Sequence, residues 1–282
     1  MLNIFILLLL LFIIYIIIVC IFTKDYINYD KVYNLEEDGC CIYKNILSDD
    51  DITFIKMNIE QNNTEIVKQY LIQHNKLNKT ITDKLNSDYI FQDYIFLIKK
   101  STIHTCHRDN NGIYFNEGQK HPSYTLIIYL EDMGKCLGVV PKSHINVDSN
   151  NINLSNNIEN LLCNKGDIIL FNANLIHVGT INKKNDNLRI QMKITHKDDI
   201  DALKYYQNYN KILNTDNKIP IPIVKFQKNF TCMFPFISNL TQSTNINSAQ
   251  GSVNGAKIGF FQKIFSTLFY GNSDFYDLPN GY

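Results

Sequence analysis

Leu2 to Phe22 is a run of 21 residues with no charge, glycine or proline, almost all of it Leu, Ile, Phe and Val. As a helix it is about 30 Å long, the thickness of the hydrocarbon core of a bilayer. A cleavable leader has an apolar core of only about 7–15 residues followed by a small-residue cleavage site. This run is longer, and Thr23-Lys24-Asp25-Tyr26 offers no such site. A core helix with no polar face is a poor alternative. The expected organisation begins with an uncleaved single-pass membrane anchor at 1–23. Lys24 and Lys31 follow the span and no Lys or Arg precedes it, so the positive-inside rule puts the remaining chain on the cytoplasmic side. Sequons at Asn62, Asn78, Asn153, Asn229 and Asn239 would favour the lumen, but a chain this rich in Asn produces such triplets by chance.

Behind the anchor the composition excludes several classes. Lys+Arg and Asp+Glu both number 27, and there is no basic run, so a nucleic-acid partner is not expected. The seven cysteines include no C-x-x-C pair, which excludes a zinc ribbon and a dense disulfide framework. Tyr26 to Tyr43 reads as a linker or a first short strand. Ser48 followed by Asp49, Asp50 and Asp51 starts a helix with Ile52, Ile55 and Ile59 on its apolar stripe. Thr64 to Leu77 repeats that pattern through Ile66, Val67, Tyr70 and Leu71. From Tyr89 the texture changes to short β-like runs at 94–98, 102–105, 125–130, 136–140, 167–171 and 188–194. Helices first and many short strands after predict a mainly β domain, a sandwich or barrel with flanking helices. Asp198 to Leu213 reads as another helix, which closes a domain at 24–213. The remainder, 214–282, reads as an extension. Its segment 242–257 has linker composition, and 258–270 carries Phe261, Ile264, Phe265, Leu268 and Phe269 at helical spacing. That last helix suits either packing onto the domain or an interfacial role.

The chemistry concentrates between Ile103 and Ile194. His107-Arg108-Asp109 is an H-x-D in which extended backbone points the imidazole and the carboxylate to one face. His104 has the opposite parity and is excluded, and Cys106 belongs to the core. Asn110-Asn111-Gly112 follows as a turn. His177 comes directly after the strand 167–171 and its Asn-Ala-Asn continuation. Two His and one carboxylate form a facial triad that leaves open positions on ferrous iron. Arg189 follows His177 by twelve residues in an apolar strand, in a chain with very few Arg. There a guanidinium fork can grip a distal carboxylate. His144 reads as structural, and His121 and His196 as ordinary polar positions.

The order of H-x-D, Tyr124–Asp132, Gly138-Val139-Val140-Pro141-Lys142-Ser143-His144, Lys165-Gly166-Asp167, His177 and Arg189 resembles the phytanoyl-CoA dioxygenase family over roughly 48–194. That resemblance implies a double-stranded β-helix (jelly-roll, cupin-like) core, and Fe(II) and 2-oxoglutarate as cofactor and co-substrate, with ascorbate as a reductant. It makes His107, Asp109 and His177 the metal ligands. Arg189 becomes the anchor of the 2-oxoglutarate C5 carboxylate, with Thr125 and Thr180 as further co-substrate contacts. O2 and an organic substrate are the implied partners. Two departures stand out: Lys142 replaces the usual glycine of the P-G-S-H turn, and Gly179 stands where a Ser or Thr often assists the Arg. The leading expectation is a membrane-anchored dioxygenase hydroxylating a small-molecule or lipid-like substrate. The alternatives are a prolyl- or lysyl-type protein hydroxylase and a non-catalytic jelly-roll binding module.

Overall fold

The structure, a computed structural model, describes residues 2–24, 26–100, 103–109, 118–146, 152–155, 157–179, 188–203, 207–214, 219–239 and 260–271. The expected turn at 110–112, the linker at 242–257 and Thr180 lie outside these residues.

The apolar run forms helix α1 (Leu2–Phe22), long and apolar enough to cross a membrane. Strand β1 (Cys40–Tyr43) leads to α2 (Asp49–Glu60), which Ser48 and Asp51 start with a reciprocal capping box. The periodic stretch after it is two helices, α3 (Thr64–Gln73) and α4 (Asn75–Leu85), where one was expected. The break is at His74, which leaves helical conformation and caps the second helix by accepting a hydrogen bond from Leu77 N through Nδ1.

The strands follow as β2 (Tyr89–Phe91), β3 (Tyr94–Lys100), β4 (Tyr124–Tyr129), β5 (Leu137–Val139), β6 (Glu159–Asn160), β7 (Ile168–Asn172), β8 (His177–Gly179), β9 (Arg189–His196) and β10 (Tyr209–Asn214). A large sheet runs β1-β7-β4-β9-β3-β10 with β2 beside β9, and a small sheet runs β6-β5-β8. The helix expected over 198–213 is instead a 3-10 turn at Lys197–Asp199 followed by β10, which pairs in parallel with β3. Asp199 does not open a helix, because both of its carboxylate oxygens accept from the backbone of Lys120 and His121. Alternation of buried Tyr209, Lys211 and Leu213 then suits a strand. Helices α5 (Ile221–Met233), α6 (Phe236–Asn239) and α7 (Phe260–Tyr270) complete the described chain.

Strand parity divides the interior. Leu126, Ile128, Leu170, Ile190, Met192 and Ile194 point outward from the large sheet onto Ile55, Val67, Leu71 and Leu77 of the helices. Ile127, Tyr129, Ile169 and Phe171 point the other way, onto Leu137 and Val139 of the small sheet. On that inner face the register sets Thr125 opposite Lys193, Ile127 opposite Gln191 and Tyr129 opposite Arg189. The turn before β7 needs Gly166 (φ +83°), where a Cβ would lie 2.5 Å from the Leu47 carbonyl oxygen. Buried Asp167 ties that corner together by accepting from Asn45 N, Asn164 N and Lys44 Nζ, each at 2.8 Å.

Candidate metal centre

His107 and His177 are directly paired. Each donates its backbone N–H to the other's carbonyl, at 3.0 and 2.9 Å. A mutual pair of this kind sets two side chains on the same side of the ladder. Each imidazole is then fixed by its Nδ1, which lies 2.9 Å from the Thr105 carbonyl in His107 and 3.0 Å from the Leu175 carbonyl in His177. Donation there from Nδ1 leaves the Nε2 lone pairs free to face the cavity. Asp109 brings Oδ1 to 3.6 Å from His107 Nε2 and 3.5 Å from His177 Nε2.

The other carboxylate oxygen is held from the large sheet. Asp109 Oδ2 accepts from Lys193 Nζ (2.6 Å), Thr125 Oγ1 (2.6 Å) and Gln191 Nε2 (3.4 Å), and Lys193 also donates to Thr125 at 2.8 Å. Burial pushes the Asp109 carboxyl up, but Lys193, His177 and His107 outweigh it and hold it well below the usual carboxylate range. Burial pushes His177 down to about 4 against the pull of Asp109, so its ring is neutral at physiological pH. A carboxylate and a neutral imidazole are ligands ready to bind without losing a proton.

These atoms fit a six-coordinate divalent ion. The three ligand atoms lie within 4.8 Å of one another. Two imidazoles bound cis on one ion at about 2.1 Å bring their ring centres to roughly 4.6 Å, and the rings of His107 and His177 are 4.4 Å apart. His121 and His196, read as ordinary polar positions, come together with Asp198 in a second cluster. Its imidazoles are stacked at 3.7 Å, too close for two cis ligands, so as placed they form a ring pair beside a carboxylate.

The neighbouring residues fall on both sides of this centre. His104 points away, as parity required, and pairs with Gln227. Arg108, between His107 and Asp109, is buried and donates to the carbonyls of Ser143, Asn146 and Asn174, pinning the H-x-D segment to the loops around it. His144 is structural, its Nε2 3.0 Å from the Glu36 carbonyl. Lys142 sits at φ +67°, the left-handed conformation that the more usual glycine would adopt without strain.

Arg189 is buried on the inner face of β9, opposite Tyr129 and Ile98. Burial lowers its pKa, and Tyr129 and Cys136 push back. Its Nη2 lies 3.7 Å from where a Cβ on Gly179 would stand. Gly179 is two residues beyond His177 on β8, about 7 Å along the strand. Arg189 therefore bridges the sheets one short diacid's length from the ligand cluster. Thr125 belongs to the same inner face but gives its hydroxyl to Asp109. Sequence reasoning did not assign Lys193 and Gln191 to the ligand cluster. The alternation of polar Arg189, Gln191, Lys193 and Thr195 against apolar Ile190, Met192 and Ile194 was the available signal.

A sequence model of the phytanoyl-CoA dioxygenase (PhyH) family matches residues 44–189. No curated protein matches the chain. Among solved structures, EvdMO1 is similar at 17% identity, over 57% of this chain and 48% of that one, with a TM-score of 0.46. This chain thus spans about half the length of EvdMO1. HygX from Streptomyces hygroscopicus, solved with nickel and 2-oxoglutarate bound, is similar at 12% identity over 60% of this chain and 87% of that one (TM-score 0.43). The epimerase SnoN, in complex with Fe3+, alpha-ketoglutarate and nogalamycin RO, is similar at 12% identity over 57% and 80% (TM-score 0.44).

Proposed function

The chain belongs to the phytanoyl-CoA dioxygenase family, and from that premise we propose that it is a membrane-anchored, Fe(II)- and 2-oxoglutarate-dependent dioxygenase hydroxylating a small-molecule or lipid-like substrate. The observation that carries this reading is the convergence of His107 Nε2, Asp109 Oδ1 and His177 Nε2 within ligand distance, with every other polar atom of the three side chains already hydrogen-bonded. The facing sheets then form the double-stranded β-helix, and the catalytic domain runs over 24–213. Helix α5 of the extension braces it where the Thr231 hydroxyl accepts from Cys106 N at 2.9 Å.

When bound, iron(II) with 2-oxoglutarate and O2 supplies decarboxylation of the co-substrate to succinate and CO2, coupled to insertion of one oxygen atom into a substrate C–H bond. The chain's own residues supply the rest. His107 and His177 are oriented by their Nδ1 atoms, which are tied to carbonyls, and so present Nε2 toward Asp109. Lys193 and Thr125 hold Asp109 by one oxygen and leave the other for the metal. Arg189 receives the C5 carboxylate through its planar fork. Tyr129 and Ile98, which flank Arg189 on the neighbouring strands, shield that ion pair from water. Helix α1 is the anchor.

The test is 14CO2 release from labelled 2-oxoglutarate by the purified full chain. His107→Ala, Asp109→Ala and His177→Ala each abolish it, while His104→Ala retains it. Release that survives loss of any of the three ligands, or that disappears with His104, contradicts the assignment.

A further inference from the structure

Helix α1 does not stand clear of the folded domain. From Tyr15 it lies on it: the Tyr15 hydroxyl donates to the Leu154 carbonyl at 3.2 Å. Cys20 is fully buried, its carbonyl accepts from the Asn229 side-chain amide at 2.8 Å, and its Sγ lies 3.7 Å from Met233 Sδ. Asn229 and Met233 are one turn apart on α5, so the end of α1 is seated along that helix. The outward side of the same stretch is Ile17, Ile18, Ile21 and Phe22, the last 70% exposed. On the reading of α1 as a membrane anchor, those exposed apolar side chains face lipid. Whatever they enter, α5 enters beside them.

A second apolar surface flanks α5. Gln227 donates from Nε2 to the Leu268 carbonyl at 2.7 Å, which joins α7 to α5. Residues 227 and 229 are two apart, about 200° around the helix, so α1 and α7 lie on different sides of α5. Helix α7 buries Phe265, Ser266 and Tyr270 and leaves Phe260 (72%), Ile264 (40%) and Leu268 (62%) exposed. Four-residue spacing makes these three one stripe. Ile221 and Ile223 at the start of α5 are exposed as well.

We propose that the exposed stripe of α7, with the first turn of α5, is a second membrane contact, an interfacial surface that lays the domain down on the bilayer beside its anchor. It rests on the reading of α1 as that anchor. The occupant is lipid and not a second copy of the chain, because α5 itself carries the helix read as the membrane anchor. Interfacial helices of this kind sink their apolar side about 5–10 Å below the headgroups. The buried side of α7 meets the catalytic segment: Tyr270 and Thr105 share a hydroxyl hydrogen bond at 2.7 Å, and the Thr105 carbonyl is the partner of His107 Nδ1. The surface on lipid and the loop bearing a proposed ligand are thus held together.

The chain contains no tryptophan, so single replacements report cleanly. Full-length Leu268→Trp, Ile264→Trp, Phe5→Trp and Ile66→Trp proteins are reconstituted into phosphatidylcholine vesicles with plain or brominated acyl chains. The expected result is bromine quenching by about twofold or more for Phe5→Trp, Ile264→Trp and Leu268→Trp, as burial to interfacial depth requires. Ile66→Trp, on α3, stays unquenched. Quenching at Phe5→Trp without quenching at positions 264 and 268 overturns the second contact and leaves the anchor standing. Absence of quenching at Phe5→Trp overturns the anchor and the proposal with it. Emission at 264 and 268 that is shielded from aqueous acrylamide but insensitive to bromine means contact between chains, which also overturns it.

Discussion

Replacing Arg189 by lysine keeps a positive charge and discards the planar fork. The guanidinium sits buried between Tyr129 and Ile98, two residues' length along β8 from His177. If it holds the C5 carboxylate by two parallel N–H···O bonds, an ammonium in the same space keeps one. A charge-assisted hydrogen bond is worth about 1.5–3 kcal/mol, so the KM for 2-oxoglutarate rises about tenfold to a hundredfold. Arg189→Ala is worse, because the carboxylate is then buried without a partner. Metal affinity stays near wild type in both, since Lys193, which holds Asp109, is four residues and about 13 Å further along β9. The assay is 2-oxoglutarate titration of CO2 release at saturating iron, alongside Co(II) titration of each variant. Equal KM values in wild type, lysine and alanine proteins would mean that Arg189 does not hold the co-substrate carboxylate. Lys193 would be a poor replacement as anchor, because the structure already commits its ammonium to Asp109 and Thr125.

Lys142→Gly relieves a left-handed residue and stabilises the full chain in detergent by about 1 kcal/mol in urea unfolding; no gain means that the turn tolerates lysine without strain. Burial pushes the Lys211 amine from 10.5 down to about 8. Between those values the unfolded chain carries the proton and the folded chain does not, so stability rises with pH across about 8 to 10.5. Below pH 8 the full cost of burying the charge is present, about 3 kcal/mol. Lys211→Met is therefore more stable than wild type at pH 7, and the difference shrinks toward pH 10.5; a difference independent of pH contradicts it.

Much of the convergence of His107 and Asp109 was legible because its parts are local. Extended backbone makes H-x-D convergent whatever the tertiary fold, and the same parity turned His104 toward α5. The partners of Asp109 were less legible. Whether Lys193 or Gln191 meets residue 109 depends on the register between β4 and β9 and on a loop between distant segments, which no local pattern encodes. The misread helix at 198–213 has a similar origin: two aspartates suit a helix start, but the buried Asp199 serves the backbone of a segment 79 residues away. His74 divides α3 from α4 by a cap that a purely apolar periodicity passes over. Helix α5, which the sequence reading left unassigned, owes its place to contacts with α1 and with Cys106 rather than to any strong pattern of its own.

The proposed metal centre is tested most directly by anaerobic addition of 2-oxoglutarate to the Fe(II)-loaded full chain. Chelation of a 2-oxo acid by ferrous iron gives a visible metal-to-ligand charge-transfer band. His107, Asp109 and His177 as a facial triad leave the positions that chelation needs. The expected result is a band saturating at one 2-oxoglutarate per chain, weakened in affinity by Arg189→Lys and absent in Asp109→Ala. Iron that binds without producing the band, or a band that persists in Asp109→Ala, would contradict it.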